Sequence, residues 1–333
     1  MQLIKKYIYH PIKNLTAKIY VFILQKFFGL NVIGITGSAG KTTTKEMLAG
    51  ILRLDGKTVW SFDNIDPVFN IASTILRCTP FTKYLILEMG IEYPNEMDFY
   101  LWLVRPNVGV ITNVFPTHTL YLGDIEGVFK EKSKLVKNTK IAVLNENDKY
   151  LLRLKFVLKA KEYWFNGSEN ATESNTNAVR KVAEVFGISG NLIEKGLIDY
   201  QKPKHRLDFI KHKSGAFILD DTYNSNPEAF LSSLKYFNNL AGKNVKIAVI
   251  GDMLELGEIE INEHKRISHE IRKSNFQKVF GVGKLVKYIT FNIYANALDL
   301  VDPIKNYLKP KNYIFLKGSR SIGLDKLVDA ILL

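Results

Sequence analysis

The run Gly34-Ile35-Thr36-Gly37-Ser38-Ala39-Gly40-Lys41-Thr42-Thr43 has the composition of a phosphate cradle. Small residues at Gly37, Ser38, Ala39 and Gly40 let backbone N–H groups curl around phosphate oxygens. Lys41 is placed to reach the β- and γ-phosphates of a nucleotide, and the Thr42 hydroxyl to meet Mg²⁺. The pattern departs from the strict P-loop, because Ile35 stands five before Gly40 where that motif has glycine. Its context is that of a phosphate loop, with apolar "NVIGIT" before it and amphipathic "KTTTKEMLAGIL" after it.

Other chemically able residues follow further apolar runs. Glu88 directly follows "YLIL", where a carboxylate suits Mg²⁺ but also suits a helix cap. His118 follows "VGVITNVFPT"; a lone histidine is more often structural, but its expected place at the same sheet edge as Glu88 and Lys41 favours a ligand role. Lys132 is less conspicuous. If 124–138 is a helix, Ile125, Val128, Phe129, Leu135 and Val136 share one face at 3/4 spacing, and Lys132 falls on that face. Lys130, Lys134 and Lys137 fall elsewhere. Burial of Lys132 would depress its pKa, and a neutral amine can combine with CO₂ to give an anionic carbamate. Periodicity alone favours a lysine that snorkels to solvent.

Later in the chain, "ILDDTYNSNPEAF" contains a helix start: Asn226 as cap, Pro227 at the first helical position and Glu228 in the first turn. That start does not require Asp220, Asp221, Tyr223 or Asn224. "FLKGSRSIGLDKL" runs a strand into a helix start carrying Lys317, Ser319 and Arg320, a setting for an anion such as a carboxylate. "IGDMLELGE" is too acidic for phosphate and suits an ammonium group or solvent.

These residues need a scaffold that gathers strand ends. "NVIGITG", "YLILEMG", "NVGVITNV" and "KIAVLN" alternate with amphipathic stretches at 42–54, 94–104 and 124–138, which predicts a mostly parallel sheet covered on both faces. Ligands gather at the carboxyl ends of such strands. The expected class is α/β: a P-loop NTPase-type domain over 31–203, a hinge near 200–207, and a smaller Rossmann-like α/β domain over 204–333. Residues 1–30 hold five lysines and no acid. Their longest apolar run, Ile19 to Leu24, is too short to span a bilayer, and no small-residue cleavage site follows it. Two readings fit this segment: a helix packing its apolar stripe on the domain, or a basic amphipathic helix resting on an anionic membrane.

Composition sets the remaining bounds. The hydrophobic fraction of 46% and charged fraction of 24% are those of a globular protein. A formal charge of +13 points to an anionic partner. The lysines are dispersed and no arginine-rich or aromatic-studded basic motif occurs, so nucleic acid is not expected. Cys78 is the single cysteine, which excludes an intrachain disulfide and fits a reducing cytoplasm.

Together, "GITGSAGKTTTKEML", "LILEMG", "RPNVGVITNVFPTH", "KEKSKLV", "HRLDF", "DDTYNSNP", "IGDMLELGE" and "LKGSRS" resemble the Mur ligases. Within them the set is most similar to the branch that adds D-alanyl-D-alanine to the UDP-N-acetylmuramoyl-tripeptide. The motifs cover about 31–333, in that branch's order. The resemblance implies ATP and two Mg²⁺ as cofactors, and residues Gly37 to Thr43 as the phosphate loop. Thr42 and Glu88 would hold the first Mg²⁺, His118 and a carbamylated Lys132 the second. Asn177 would lie near the adenine, Arg206 would meet ATP phosphate and Asp221 the ribose. Asn224, Asn226, Lys317, Ser319 and Arg320 would lie near the incoming amine. Lys41, Lys132 and His118 would be the catalytic set. The implied partners are a cell-wall precursor and an amino acid or dipeptide, handled by a cytoplasmic monomer that residues 1–30 could bring to the inner face of the membrane. The implied reaction phosphorylates a carboxylate, and an amine then displaces phosphate through a tetrahedral intermediate.

The chain also departs from the branch. Residues 1–30 stand where it usually carries a sugar-nucleotide-binding domain. The stretch between Phe165 and Thr172 is short, and Glu173 stands where a histidine is expected. Three further readings stay open: a Mur-type ligase with another acid substrate, as in folylpolyglutamate synthase; a non-enzymatic nucleotide-binding scaffold; and a generic P-loop kinase or GTPase. The first carries a loop reading Gly-Lys-Gly-Ser and lacks "DDTYNSNP".

Overall fold

A computed structural model describes residues 10–62 and 67–333. The expectation for residues 1–30 therefore lies outside the described residues over 1–9. The chain divides into two compact units, one of residues 1–115 and 121–203, the other of 116–120 and 204–333.

The first unit is built on a six-stranded sheet: β1 (Asn31–Thr36), β2 (Thr58–Trp60), β3 (Tyr84–Glu88), β4 (Val108–Ile111), β5 (Ile141–Asn145) and β6 (Lys161–Phe165). Its order is β2-β3-β1-β4-β5-β6 and every pairing is parallel. The strands read as unbroken apolar runs because both faces are covered. One face packs Val32, Leu85 and Leu87 against Ala17, Val21 and Leu24 of helix α1 (His10–Phe27). The other packs Ile33, Ile35 and Val110 against α2 (Lys41–Leu52) and α3 (Ala171–Val185). In register, Ile35 pairs with Glu88 and Thr36 with Ile111, so the loops after β1, β3 and β4 emerge together.

Helix α1 follows both stripes written into its sequence. Its inner stripe is buried, and Tyr20 and Gln25 fasten it through hydrogen bonds to Cys78 O and to Arg105 O. Ile12, Leu15, Ile19 and Phe22 form a second stripe that is more than half exposed. Among the described residues no helix is long and apolar enough to cross a membrane.

The second unit carries another six-stranded sheet: β7 (Asp208–Lys211), β8 (Phe217–Asp221), β9 (Lys246–Gly251), β10 (Lys278–Val282), β11 (Ile293–Tyr294) and β12 (Tyr313–Lys317). Its order is β11-β10-β9-β12-β8-β7, parallel except for the β7–β8 pair. Asp221 and Lys317 are register partners at the ends of β8 and β12. Helix α4 (Pro227–Ala241) starts as the sequence predicts, with the Asn226 side chain accepting from Ala229 N and Pro227 in the first turn.

Candidate active site

The phosphate loop is set by a left-handed turn. Gly40 has φ +81°, and a Cβ there would meet Asn175 Oδ1 at 2.3 Å. Only glycine fits such a position. The loop is held from β4 as well. Asn113 O accepts from Ser38 N, Asn113 Oδ1 accepts from Ala39 N at 2.8 Å, and Asn113 Nδ2 donates back to Ala39 O at 3.2 Å. Thr112 Oγ1 also donates to Ala39 O. The Ser38 and Ala39 amides are thus committed to protein. Those best aimed at a phosphate belong to the first turn of α2, at Lys41, Thr42 and Thr43, where a helix start provides no intrahelical acceptor. Lys41 Nζ reaches back to Gly37 O at 2.9 Å, across the mouth of the loop.

Beside the loop, Thr42 Oγ1 donates to Glu88 Oε1 at 2.9 Å. A hydroxyl that donates to a carboxylate keeps its lone pairs for a cation, so this pair fits Mg²⁺. Lys45, one turn further along α2 and fully buried, lies between Glu46 Oε1 at 3.1 Å and Glu88 Oε2 at 3.6 Å. It fixes the far oxygen of Glu88.

Lys132 lies on the helix over Ile125–Lys137. Asp124 caps that helix by accepting from Gly127 N. Val128, Leu135 and Val136 are fully buried and Lys132 is 1% exposed, so the lysine does not snorkel. Burial drives its pKa well below the usual lysine value, and the nearby Lys41 charge pushes the same way against a smaller opposing effect of Glu131. Glu131 itself accepts from Met97 N and pairs with Lys134. Asn177 donates to Asn166 O on the exposed side of α3. Asn175, two positions earlier, is buried and takes the Thr44 hydroxyl at 3.3 Å.

In the second unit, His118 Nδ1 lies 2.6 Å from Glu255 Oε2, close enough to pair but without hydrogen-bond alignment. Both residues have positive φ. Asp221 is heavily used: Oδ1 accepts from Leu207 N, and Oδ2 accepts from Ser233 Oγ and from Lys317 Nζ, each at 2.5 Å. Lys317 is 1% exposed and also donates to Asn224 O. Asn224 Oδ1 takes Ser225 N, and Ser319 Oγ takes Leu254 N. Lys317, Asn224 and Ser319 are thus each tied into the protein. Arg320 is exposed. Asp220, beside Asp221, is raised in pKa by burial and meets His205 Nδ1 at 2.7 Å.

The residues brought together in the first unit are therefore Gly37 to Thr43, Glu88 and Lys132. Those in the second are Arg206, Asp221, Asn224, Asn226, Lys317, Ser319 and Arg320, with His118 beside Glu255. Sequence reasoning missed Asn113, Asn175 and Lys45. The strand-end position of Asn113 was its one signal.

Comparisons with known proteins extend this geometry. The Mur ligase middle domain matches residues 35–198, and the Mur ligase, glutamate ligase domain matches 205–320. The chain is 30% identical to a UDP-N-acetylmuramoyl-tripeptide--D-alanyl-D-alanine ligase of Buchnera aphidicola subsp. Baizongia pistaciae, over 90% of this chain and 75% of that one. MurF from Acinetobacter baumannii shares the fold with a TM-score of 0.84 at 23% identity, covering 96% of this chain and 80% of that chain. FolC of E. coli, solved with DHPP and ADP, does so with a TM-score of 0.72 at 16% identity, covering 94% and 92%. With both domain models matched over its two units and its phosphate loop formed, the chain belongs to the Mur ligase family.

Proposed function

We propose that this protein adds D-alanyl-D-alanine to a UDP-N-acetylmuramoyl-tripeptide, using ATP to activate the acceptor carboxylate as an acyl phosphate. Family membership makes it an ATP-dependent ligase that forms an amide bond. The observation that carries the reading is the joint placement of a preformed phosphate loop, the Thr42–Glu88 pair and a buried, charge-depressed Lys132 in one unit. Bound Mg²⁺ would supply neutralisation of phosphate charge.

The protein's own groups divide the work. The helix-start amides and Lys41 orient the transferred phosphoryl group. Thr42 and Glu88 would hold one Mg²⁺; Lys132 and, in the second unit, His118 are the further metal ligands of this reading. Lys132 serves as a carbamate: its neutral amine nitrogen bonds to the carbon of CO₂ and gives up a proton. The Lys41 charge disfavours the ammonium form and attracts the carbamate anion, which favours the modified form. Arg206 faces ATP phosphate, Asn177 the adenine, Asp221 the ribose side, and Arg320 the carboxylate of the incoming dipeptide. The protein acts as a monomer. Peripheral contact with the inner membrane face is part of this reading, supported by the exposed Ile12, Leu15, Ile19 and Phe22 on a helix without acidic residues.

Purified protein with ATP, Mg²⁺, UDP-N-acetylmuramoyl-tripeptide and D-alanyl-D-alanine should release phosphate only when both substrates are present. Release indifferent to either one rejects the proposal, and release driven instead by a folate and glutamate selects the other ligase reading. Co-sedimentation with anionic vesicles tests the membrane contact; no binding at low salt removes it.

A further inference from the structure

Three loops of the second unit converge on a single aromatic ring. The Arg206 guanidinium carbon lies 3.7 Å from the centroid of the Tyr223 ring, and that of Arg320 lies 4.7 Å from the same centroid. The two guanidinium carbons are therefore no more than 8.4 Å apart, comparable to the screening length of about 8 Å at physiological salt. Guanidinium groups stack on aromatic faces while their N–H donors, directed in the guanidinium plane, stay available to fork onto an oxyanion.

The loops beneath the ring are tied to each other. Tyr223 N donates to His205 O at 3.0 Å, which holds the Arg206 turn to the Tyr223 loop. Leu207 N donates to Asp221 Oδ1, a second tie between the same pair. Lys317 joins the third loop by donating to Asp221 Oδ2 and to Asn224 O. Ser319 N donates to Asp252 O and its hydroxyl accepts from Leu254 N, which fixes the backbone immediately before Arg320. His205 and Leu207 both have positive φ, so the Arg206 turn takes a conformation that such cross-ties must maintain.

We propose that Tyr223 is a positioning residue whose ring mounts Arg206 and Arg320 as one anion-gripping unit. A phosphate group of the nucleotide and the carboxylate of the incoming amine substrate are then held by coupled, not independent, cations. The identity of the two anions rests on the ligase reading above; the shared mount does not. Stacking uses the ring and not the phenol hydroxyl, so phenylalanine should serve in its place.

Two measurements test this. Equilibrium binding of a fluorescent ATP analogue with Mg²⁺, without other substrates, reads the nucleotide arm. Steady-state phosphate release with D-alanyl-D-alanine varied reads the other. Tyr223→Leu is expected to weaken ATP binding and to raise the KM for D-alanyl-D-alanine, each by about tenfold, with kcat within about threefold. Tyr223→Phe is expected to restore both. A phenylalanine variant as defective as the leucine variant, or a leucine variant that shifts only one arm, overturns the proposal. Arg320→Ala, at an exposed position, supplies a test that does not depend on the stability of the leucine variant. It must weaken ATP binding by about threefold or more, and unchanged ATP binding overturns the coupling. If the protein binds ATP but D-alanyl-D-alanine elicits no phosphate release, the ligase reading fails, while the ATP-binding results with Tyr223→Phe and Arg320→Ala still decide the shared mount.

Discussion

Lys132 and Lys317 are each 1% exposed, one in each unit, and they are buried in opposite ways. Lys317 was given a carboxylate at the next strand end, a backbone carbonyl and a place in the register of β8 and β12. Lys132 has no carboxylate within ion-pair distance among the described residues, and its neighbour Lys41 opposes its charge. A buried cation that is fully paired is a strut. One that is left to desolvation is held neutral, and a neutral amine is a reagent.

The comparison breaks most visibly at Lys132. Lys132→Ala should lower ligation by about 10²–10³-fold, with partial return on addition of a short carboxylic acid, measured by phosphate release. Full activity without the acid would remove the carbamate role. Lys317→Met should instead cost stability, about 3–5 kcal/mol, because it strands Asp221 in the interior. Calorimetry should show much of that loss recovered when Asp221→Leu is added.

A smaller effect carries the opposite sign. In CO₂-free buffer Lys132→Met should raise stability at pH 7. The folded-state pKa of Lys132 is depressed, so between the folded and unfolded values the unfolded chain binds the extra proton. Stability of the unsubstituted protein therefore rises with pH across that window, and the advantage of the variant should vanish as the pH approaches the ordinary lysine value. An advantage that persists there would mean that packing, not charge, sets the difference. The smallest effect belongs to the helix cap: Asn226→Ala should cost about 1 kcal/mol, read as a lower melting temperature, because Ala229 N loses its acceptor.

The Lys132 face was legible in the sequence because helical periodicity is local, and the burial of Val128, Leu135 and Val136 follows it. The sheets were legible for the same reason, from apolar runs of strand length. Lys317 was not legible as a strut. Its partner is 96 residues away, and only the parallel register of β8 and β12 brings the two together. Asn113 was hidden likewise, since its contacts run to a loop 74 residues earlier. Asn175 and Asn177 differ by about 200° around a helix axis, and motif matching does not weigh which of them turns toward Gly40. Helix α1 was the ambiguous case, because it is apolar on two sides and each reading described one of them.

The clasp between Asn113 and Ala39 bears on the timing of nucleotide capture. Both backbone groups of Ala39 are engaged before any phosphate arrives. The conformational entropy of the loop is thus surrendered during folding, and the encounter with nucleotide needs little rearrangement at the cradle. Capture should consequently resemble docking onto a rigid template, and the Ala39 amide should exchange its hydrogen slowly in the nucleotide-free protein.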